Sequence, residues 1–511
     1  MNERTRQLIK QETNIELLKE LLLKTFEYTE RLQKDYQAEV DRRAKLAQQK
    51  FNVDEQYLIL KKKFFGKSSE KTPIQDRLRG EMESDIDLLA HSQSLVPKPN
   101  NKQTKELEKQ VLEYECTPEE LKEMSESLGL ESPSADQWEK MEGFYERSKE
   151  VTVVERSYKQ LLHRKQKYQL KKQYQQGDKT HIITAEGPKK LLPGCGYSPE
   201  FAVSVVSDKY INHMPLTRQL KQMESLGLKK LQAKTLYNLC WAVGEHLNPL
   251  VEKIKEEIKS QPTQIVHADE TPWPINNKDQ SDGYMWVLSN QAGSYYQYEP
   301  TRSGKVIKEI LKGYEGPVMS DGFSGYNRVN NSVYCWAHVR RKFFDLQDSY
   351  PEEAKEILAF LRELFFIETK AKTLSELKEL RQTESKVIID KIKHWSYEHY
   401  QKARPESGLR KAINYMLKLW DGLTEFIKDA RVPLTNNEAE RTIRHAVMGR
   451  KNFYGSRTIN GADLTATFYT IIESCKKVEL DPRDYIQKTL KSILNKEDVK
   501  TPLQTALAQR S

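Results

Sequence analysis

The chain is poor in cysteine for its length. Its 511 residues hold only Cys116, Cys195, Cys240, Cys335 and Cys475, and no two of these form a C-x-x-C pair. The odd number and the scatter argue against a disulfide framework and a cysteine-rich zinc site. Long apolar runs are also missing. Hydrophobic residues make up 37% of the chain and charged residues 31%, and no run approaches the roughly 20 apolar residues that cross a bilayer. The start, Met1-Asn2-Glu3-Arg4-Thr5-Arg6, leads into no apolar segment with a small-residue cleavage site, so the chain is expected in the cytoplasm. A phosphate loop is absent too. Gly66-Lys67-Ser68 has the right ending, but Leu60 or Lys61 stands where the first glycine is needed, and no strand pattern precedes it. Charge of one sign is only mildly in excess, with 83 Lys and Arg against 74 Asp and Glu, for a net +9. That excess accommodates a polyanionic partner without requiring one.

A chain this long exceeds what one hydrophobic core usually organises, so several domains are expected. Residues 1–50 are charged and place Ile15, Leu18, Leu22 and Leu32 at helical spacing with Thr25 and Thr29 on the same seam. The pattern suits a coiled coil or an amphipathic helix lying on its own protein. Residues 51–105 carry the basic Phe64-Phe65-Gly66-Lys67-Ser68-Ser69-Glu70-Lys71 segment and a Pro-bearing linker. Residues 106–180 begin acidic and end in a basic, Tyr-bearing stretch. Here Lys165, Lys167, Lys171 and Lys172 are candidate DNA contacts, although a solvated helix face would give the same string. Residues 181–262 read as helical. Ser198-Pro199 forms an N-cap with Pro at the first helical position, and a break at Gly227 leaves either a helical hairpin or a helix-turn-helix.

From 263 to 345 the period changes to that of strands. Gln264–Ala268, Tyr284–Leu288 and Ser294–Tyr298 are three apolar, aromatic-rich segments, followed by a short helix over Val306–Leu311. Pro317–Ser320 and Ser332–Cys335 supply two more strands. Three strands, a helix and two strands is the order of an RNase H-like core, so a multidomain α+β protein with a mixed sheet is expected. Asp269 and Asp321 follow the first and fourth strands, which are neighbours in that fold. Adjacent carboxylates repel and raise one another's pKa unless a cation lies between them, so the pair points to a divalent-metal site.

A third carboxylate is expected on a helix opened by Asn436 and Asn437 as caps. Glu438 and Glu440 lie about 200° apart around such a helix. Glu440 shares its side with Ile443 and Val447 and is expected to face inward, with Glu438 toward solvent. The stretch 346–431 reads as charged helices and implies a helical insertion, so the core resumes over 432–478, followed by a C-terminal segment over 479–511. His338, Arg340, Arg341 and Lys342 after the fifth strand, and Arg444, Arg450 and Lys451 after Glu440, are candidate contacts to DNA phosphates. Cys335 and His338 have C-x-x-H spacing, but two donors without a partner pair are more simply a packed thiol and a hydrogen-bonded imidazole. His267 and Glu270 flank Asp269 and are read as structural support.

At these residues the chain resembles bacterial transposases of the insertion sequence 66 family, of the Asp-Asp-Glu group. The marks are Phe65-Gly66-Lys67-Ser68-Ser69-Glu70-Lys71, His267-Ala268-Asp269-Glu270-Thr271-Pro272, Ser320-Asp321-Gly322, Cys335-Trp336-Ala337-His338-Val339-Arg340-Arg341-Lys342-Phe343, Asn436-Asn437 through Arg444 with Gly449-Arg450-Lys451-Asn452-Phe453, and Leu480-Asp481-Pro482-Arg483-Asp484-Tyr485-Ile486. The resemblance implies that Asp269, Asp321 and Glu440 are catalytic and hold two Mg²⁺ ions, for which Mn²⁺ can substitute. It also implies cleavage and joining of double-stranded DNA at the ends of an element, by an oligomer with or without accessory proteins of that element. Family members usually carry a zinc module with a Cys-x-x-Cys after a Lys-Tyr pair. After Lys167-Tyr168 this chain has Leu170 and Gln173 at those places, which argues against zinc. The loss of those thiolates leaves a second reading, a catalytically silent, DNA-binding regulatory relic of such an element.

Overall fold

In a computed structural model of the chain, the described residues are Glu3, most of 19–45, and 116–138, 156–169 and 182–509 apart from short gaps. The Phe65–Lys71 motif, Ile15, Leu18, Lys171 and Lys172 lie outside them. The chain divides into two compact units, one of Met1–Pro99, Leu191–Pro215 and Leu239–Ser511, the other of Asn100–Lys190 and Leu216–Asn238.

The smaller unit holds α1 (Pro118–Ser127), whose Thr117 and Glu120 form a reciprocal capping box, and a two-stranded antiparallel ribbon of β1 (Lys167–Gln169) and β2 (Ile182–Thr184). Lys165 and Lys167 are exposed there. In the larger unit, residues 22–35 are helical, with Leu22, Phe26 and Leu32 exposed.

α2 (Pro199–Val206) starts as its sequence predicts, with Pro199 in the first turn and the Ser198 hydroxyl accepting from Phe201 N. After α3 (Leu216–Ser225) and the long α4 (Ala233–Lys259) comes a five-stranded sheet. Its strands are β3 (Val266–Trp273), β4 (Gly283–Ser289), β5 (Ser294–Glu299), β6 (Val318–Ser320) and β7 (Ser332–Tyr334), with α5 (Gly304–Ile310) between β5 and β6. Spatial order is β5-β4-β3-β6-β7. The first three strands pair antiparallel, and β3-β6 and β6-β7 pair parallel. Aromatic residues such as Trp286, Tyr295, Tyr296 and Tyr298 suit a pleated, buried surface.

β3 does not stop at Ala268 but continues to Trp273, because β4 pairs with it all the way from His267–Ser289 to Trp273–Gly283. Only the parallel partner β6 runs out early, its last pair with β3 being His267 with Met319. Asp269 therefore lies inside a strand but just beyond the end of its parallel neighbour.

α6 (Trp336–Phe344) follows β7 and leads into the helical stretch, which is α7 (Pro351–Lys370), α8 (Leu374–Leu380), α9 (Lys386–Lys402), α10 (Gly408–Lys418) and α11 (Trp420–Thr424). These helices share one apolar core with Met319 of β6, Val333 of β7 and Trp336, Val339 and Phe343 of α6. Inside it the fully buried Arg381 pairs with the fully buried Glu368, with Nη2 at 2.5 Å and Nε at 2.8 Å from its carboxylate. Its Nη1 donates to the carbonyls of Phe426, Asp429, Ala430 and Val432. All three nitrogens of a charge that is costly to bury thus donate, and the backbone leading to Leu434 is pinned.

α12 (Asn437–Phe453) and α13 (Ile459–Lys477) then cover one face of the sheet. α13 also protects the edge strand β5. Thr470 Oγ1 accepts from Tyr296 N at 2.9 Å, and Ser474 Oγ accepts from Ser294 N at 3.0 Å and donates to Ser294 O. Backbone groups that would otherwise invite another strand are satisfied by side chains. α14 (Pro482–Leu494) and α15 (Pro502–Ala508) close the described chain.

Candidate active site

Three elements deliver the carboxylates singled out by sequence. Asp269 stands on β3, Asp321 follows the last residue of β6, and Glu440 lies in the first turn of α12. Asp321 is set by its own turn, where Gly322 has φ +82° and the Asp321 carboxylate accepts from Phe323 N at 2.9 Å. Gly322 takes the left-handed conformation of this turn without the penalty a Cβ would bring. Tyr415 of α10 donates its hydroxyl to the Asp321 carbonyl at 2.5 Å, so the helical stretch between the two parts of the core fixes a site residue directly.

The three carboxylates share one field. Burial holds the Asp269 carboxyl well above the usual range, and the charges of Glu270, Asp321 and Glu440 push it further the same way. Hydrogen bonding from Glu270 N, 2.8 Å from Asp269 Oδ1, opposes this only in part. This is the electrostatic signature of carboxylates gathered without a counter-charge.

Glu440 also meets α6. His338 Nε2 is 3.8 Å from Glu440 Oε1, and single donor atoms of Cys335, His338 and Glu440 all lie within 4.8 Å of one another. The imidazole is half-buried, and burial lowers its pKa against the pull of Glu440 and Asp321. Its Nδ1 has no hydrogen-bond partner among the described residues, contrary to the expected hydrogen-bonded ring. The Cys335 thiol is buried, pushed up to about 12 chiefly by burial, and accepts from Asn436 N at 3.2 Å. A protonated thiol held this way is a packing group.

Asn436 plays a part that its sequence position conceals. It precedes α12, yet its side chain caps nothing. Its Oδ1 faces His267 Nδ1 at 3.0 Å, and its Nδ2 donates to the Ala268 carbonyl at 2.9 Å. Fully buried, it ties the strand of Asp269 to the helix of Glu440 and, through Cys335, to the start of α6. His267 is held neutral by burial, at about 4.

Glu438 departs from expectation in another way. Its carboxylate meets Lys477 of α13 and accepts from Ser289 of β4, so it is half-buried on the sheet side instead of facing solvent. Glu438 and Glu440 thus flank opposite sides of the same helix edge, one facing a lysine and the other the acidic site.

Among the other residues marked for DNA contact, Arg341, Lys342, Arg444 and Lys451 are exposed. Arg340 lies 5.6 Å from the Phe344 ring, and Lys342 lies 5.4 Å from the ring of Tyr415. Arg450 is engaged within the protein, donating to Thr271 Oγ1 at 3.0 Å and to the Pro272 carbonyl.

Sequence reasoning missed Asn436 as a brace, Tyr415, and a third group around Glu270. Glu270 accepts from Tyr326 and Arg302 and is almost completely sealed from solvent.

Residues 194–464, more than half of the chain, match the model of the transposase IS66 family. The chain belongs to that family. The match spans all five strands of the sheet, the helical stretch after them and the three carboxylates. Two relatives from Sinorhizobium fredii (strain NBRC 101917 / NGR234) are similar over much of the chain. Uncharacterized protein y4hP is 28% identical over 346 residues, covering 61% of this chain and 62% of its own. Uncharacterized protein y4qI is 25% identical over 378 residues, 68% of each. This chain therefore spans less than two thirds of the first of these relatives. No described helix is long and apolar enough to cross a membrane.

Proposed function

We propose that this IS66-family chain is a DNA transposase that cuts the ends of an insertion sequence and joins them to target DNA by metal-dependent phosphoryl transfer. The observation that carries the reading is the meeting of Asp269, Asp321 and Glu440, delivered by three separate elements, in one electrostatic field. The strand order β5-β4-β3-β6-β7, with two antiparallel and two parallel pairings, supports an RNase H-like core. Double-stranded DNA is the partner, and an oligomer on paired ends, with or without the element's accessory proteins, is the working form.

The donor set fits hard divalent cations. It offers carboxylate oxygens on a site where burial and like charge disfavour ionisation, and a cation relieves that penalty. Asp269, Asp321 and Glu440 would hold two Mg²⁺ ions, or Mn²⁺ in their place. Metal bound there supplies an activated water or 3′-hydroxyl and a stabilised leaving oxygen. The protein's own residues do the positioning. Asn436 fixes β3 against α12, Tyr415 and Gly322 fix the Asp321 turn, and the exposed Arg341, Lys342, Arg444 and Lys451 offer charge to the phosphate backbone.

The test is a cutting and joining assay with purified protein, labelled DNA carrying the element's ends, and Mg²⁺ or Mn²⁺. Asp269→Asn, Asp321→Asn and Glu440→Gln should each lower both reactions at least a hundredfold while leaving DNA binding in place. Wild-type protein that binds but never cuts, even with the element's other proteins added, would favour the regulatory relic.

A further inference from the structure

We propose that Arg302 is a phosphate contact of this site, meeting the DNA backbone from the sheet face opposite α12. The inference rests on the DNA-processing reading above. Side chains alternate across a strand, so Glu270 turns to the face away from Asp269. There it sits with its cross-strand partner Trp286 and with Tyr326, whose rings meet edge to face. Its carboxylate is 1% exposed. Oε2 accepts from the Tyr326 hydroxyl at 2.8 Å, and Oε1 accepts from Arg302 Nε at 2.7 Å and is ion-paired with Nη2 at 2.6 Å. The guanidinium carbon of Arg302 lies 4.0 Å from the centre of the Phe323 ring, two residues after Asp321.

A buried carboxylate, itself held by a tyrosine, and an aromatic face thus hold one arginine whose side chain is still 42% exposed. An ion pair that merely closed a loop at the surface would contribute little and would not need its acid sealed. Nη1 has no partner among the described residues, and the charge of Asp321 also acts on the guanidinium. The arrangement answers a problem the site creates for itself. Clustered carboxylates repel a polyanion, and a fixed guanidinium against Phe323 in the Asp321 turn lets a phosphate approach. Planar, pre-oriented guanidinium donors suit a phosphate oxygen.

The test uses full-length protein and duplex DNA carrying the element's ends, with binding measured across a salt series. The variants are Glu270→Gln, the double variant Glu270→Gln/Arg302→Gln, and Arg302→Lys. The double variant exchanges a buried ion pair for an amide pair, so no buried carboxylate is stranded. Losing one phosphate contact should flatten the plot of log K against log salt by about 0.9 relative to Glu270→Gln, and weaken binding equally on unrelated sequences. Arg302→Lys should keep the slope and bind several-fold more weakly, because the charge stays and the fork is lost. Equal slopes in Glu270→Gln and the double variant would overturn the proposal. If the double variant does not fold, Arg302→Lys with wild-type affinity overturns it. Wild-type protein without salt-dependent DNA binding would instead remove the reading on which the proposal stands.

Discussion

Asp269 bears the least comfortable charge of the site, since burial and three neighbouring carboxylates all resist its ionisation. Its folded pKa is raised above its unfolded value, so its ionisation costs stability once pH exceeds the unfolded value, and that cost grows up to the folded pKa. Asp269→Asn should therefore raise the thermal midpoint of the metal-free protein at neutral pH, with the gain vanishing below the pKa of a free aspartate. A midpoint that falls at neutral pH, measured in the presence of a chelator, would show that the carboxylate is compensated in some other way. Asp269, Asp321 and Glu440 were legible as candidates because Asp269 and Asp321 each follow an apolar run and Glu440 opens a helix, although Asp269 lies within its strand. Asn436 was misread because an Asn just before a helix is usually a cap, and only the fold reveals that its side chain is spent on His267 and Ala268. Arg302 gave no local signal at all, since Glu270 and Phe323 are brought to it by tertiary structure.

At the scale of elements, the helices between the two parts of the core are built around a buried Glu368–Arg381 pair that pins the backbone leading to α12. Glu368→Ala strands a buried guanidinium and should cost about 3–5 kcal/mol in denaturant unfolding. Lys402→Ala breaks only an exposed pair with Glu398 and should leave the midpoint unchanged. A cost below 1 kcal/mol for Glu368→Ala would mean that the pinning is dispensable. On α12, His445 is lowered to about 3, mainly by burial, with Lys476 and the His213 ring 4.3 Å away adding to the shift. Its Nε2 meets the Tyr210 carbonyl at 2.7 Å, and Glu473 lies 3.4 Å from Nδ1. A depressed histidine contributes stability that is present above its unfolded pKa near 6.5 and lost as pH falls toward about 3. His445→Gln should therefore show a shallower loss of stability than wild type across that window, and an unchanged slope would exclude His445 as its source. Strand and helix types were readable here because period and capping are local. The reach of β3 to Trp273 was not, since it depends on pairing with β4 along its whole length.

For the whole molecule, the helical stretch is continuous with the parallel half of the sheet. It shares an apolar core with β6, β7 and α6, and through Tyr415 it touches the Asp321 turn. The charged helical pattern of 346–431 was visible in the sequence, whereas the shared core was not, because its members come from segments far apart in the chain. If this arrangement serves to gather three carboxylates for a divalent cation, cation binding should be linked to folding. The most direct measurement is the thermal midpoint of the chelator-treated protein titrated with Mn²⁺ or Mg²⁺, beside Asp321→Asn and Glu440→Gln. A saturable rise in the wild-type midpoint is expected, amounting to about 2.7 kcal/mol at a hundredfold excess over Kd, with a much smaller rise in either variant. A wild-type midpoint that does not respond to either cation, or a response that survives unchanged in both variants, would contradict it.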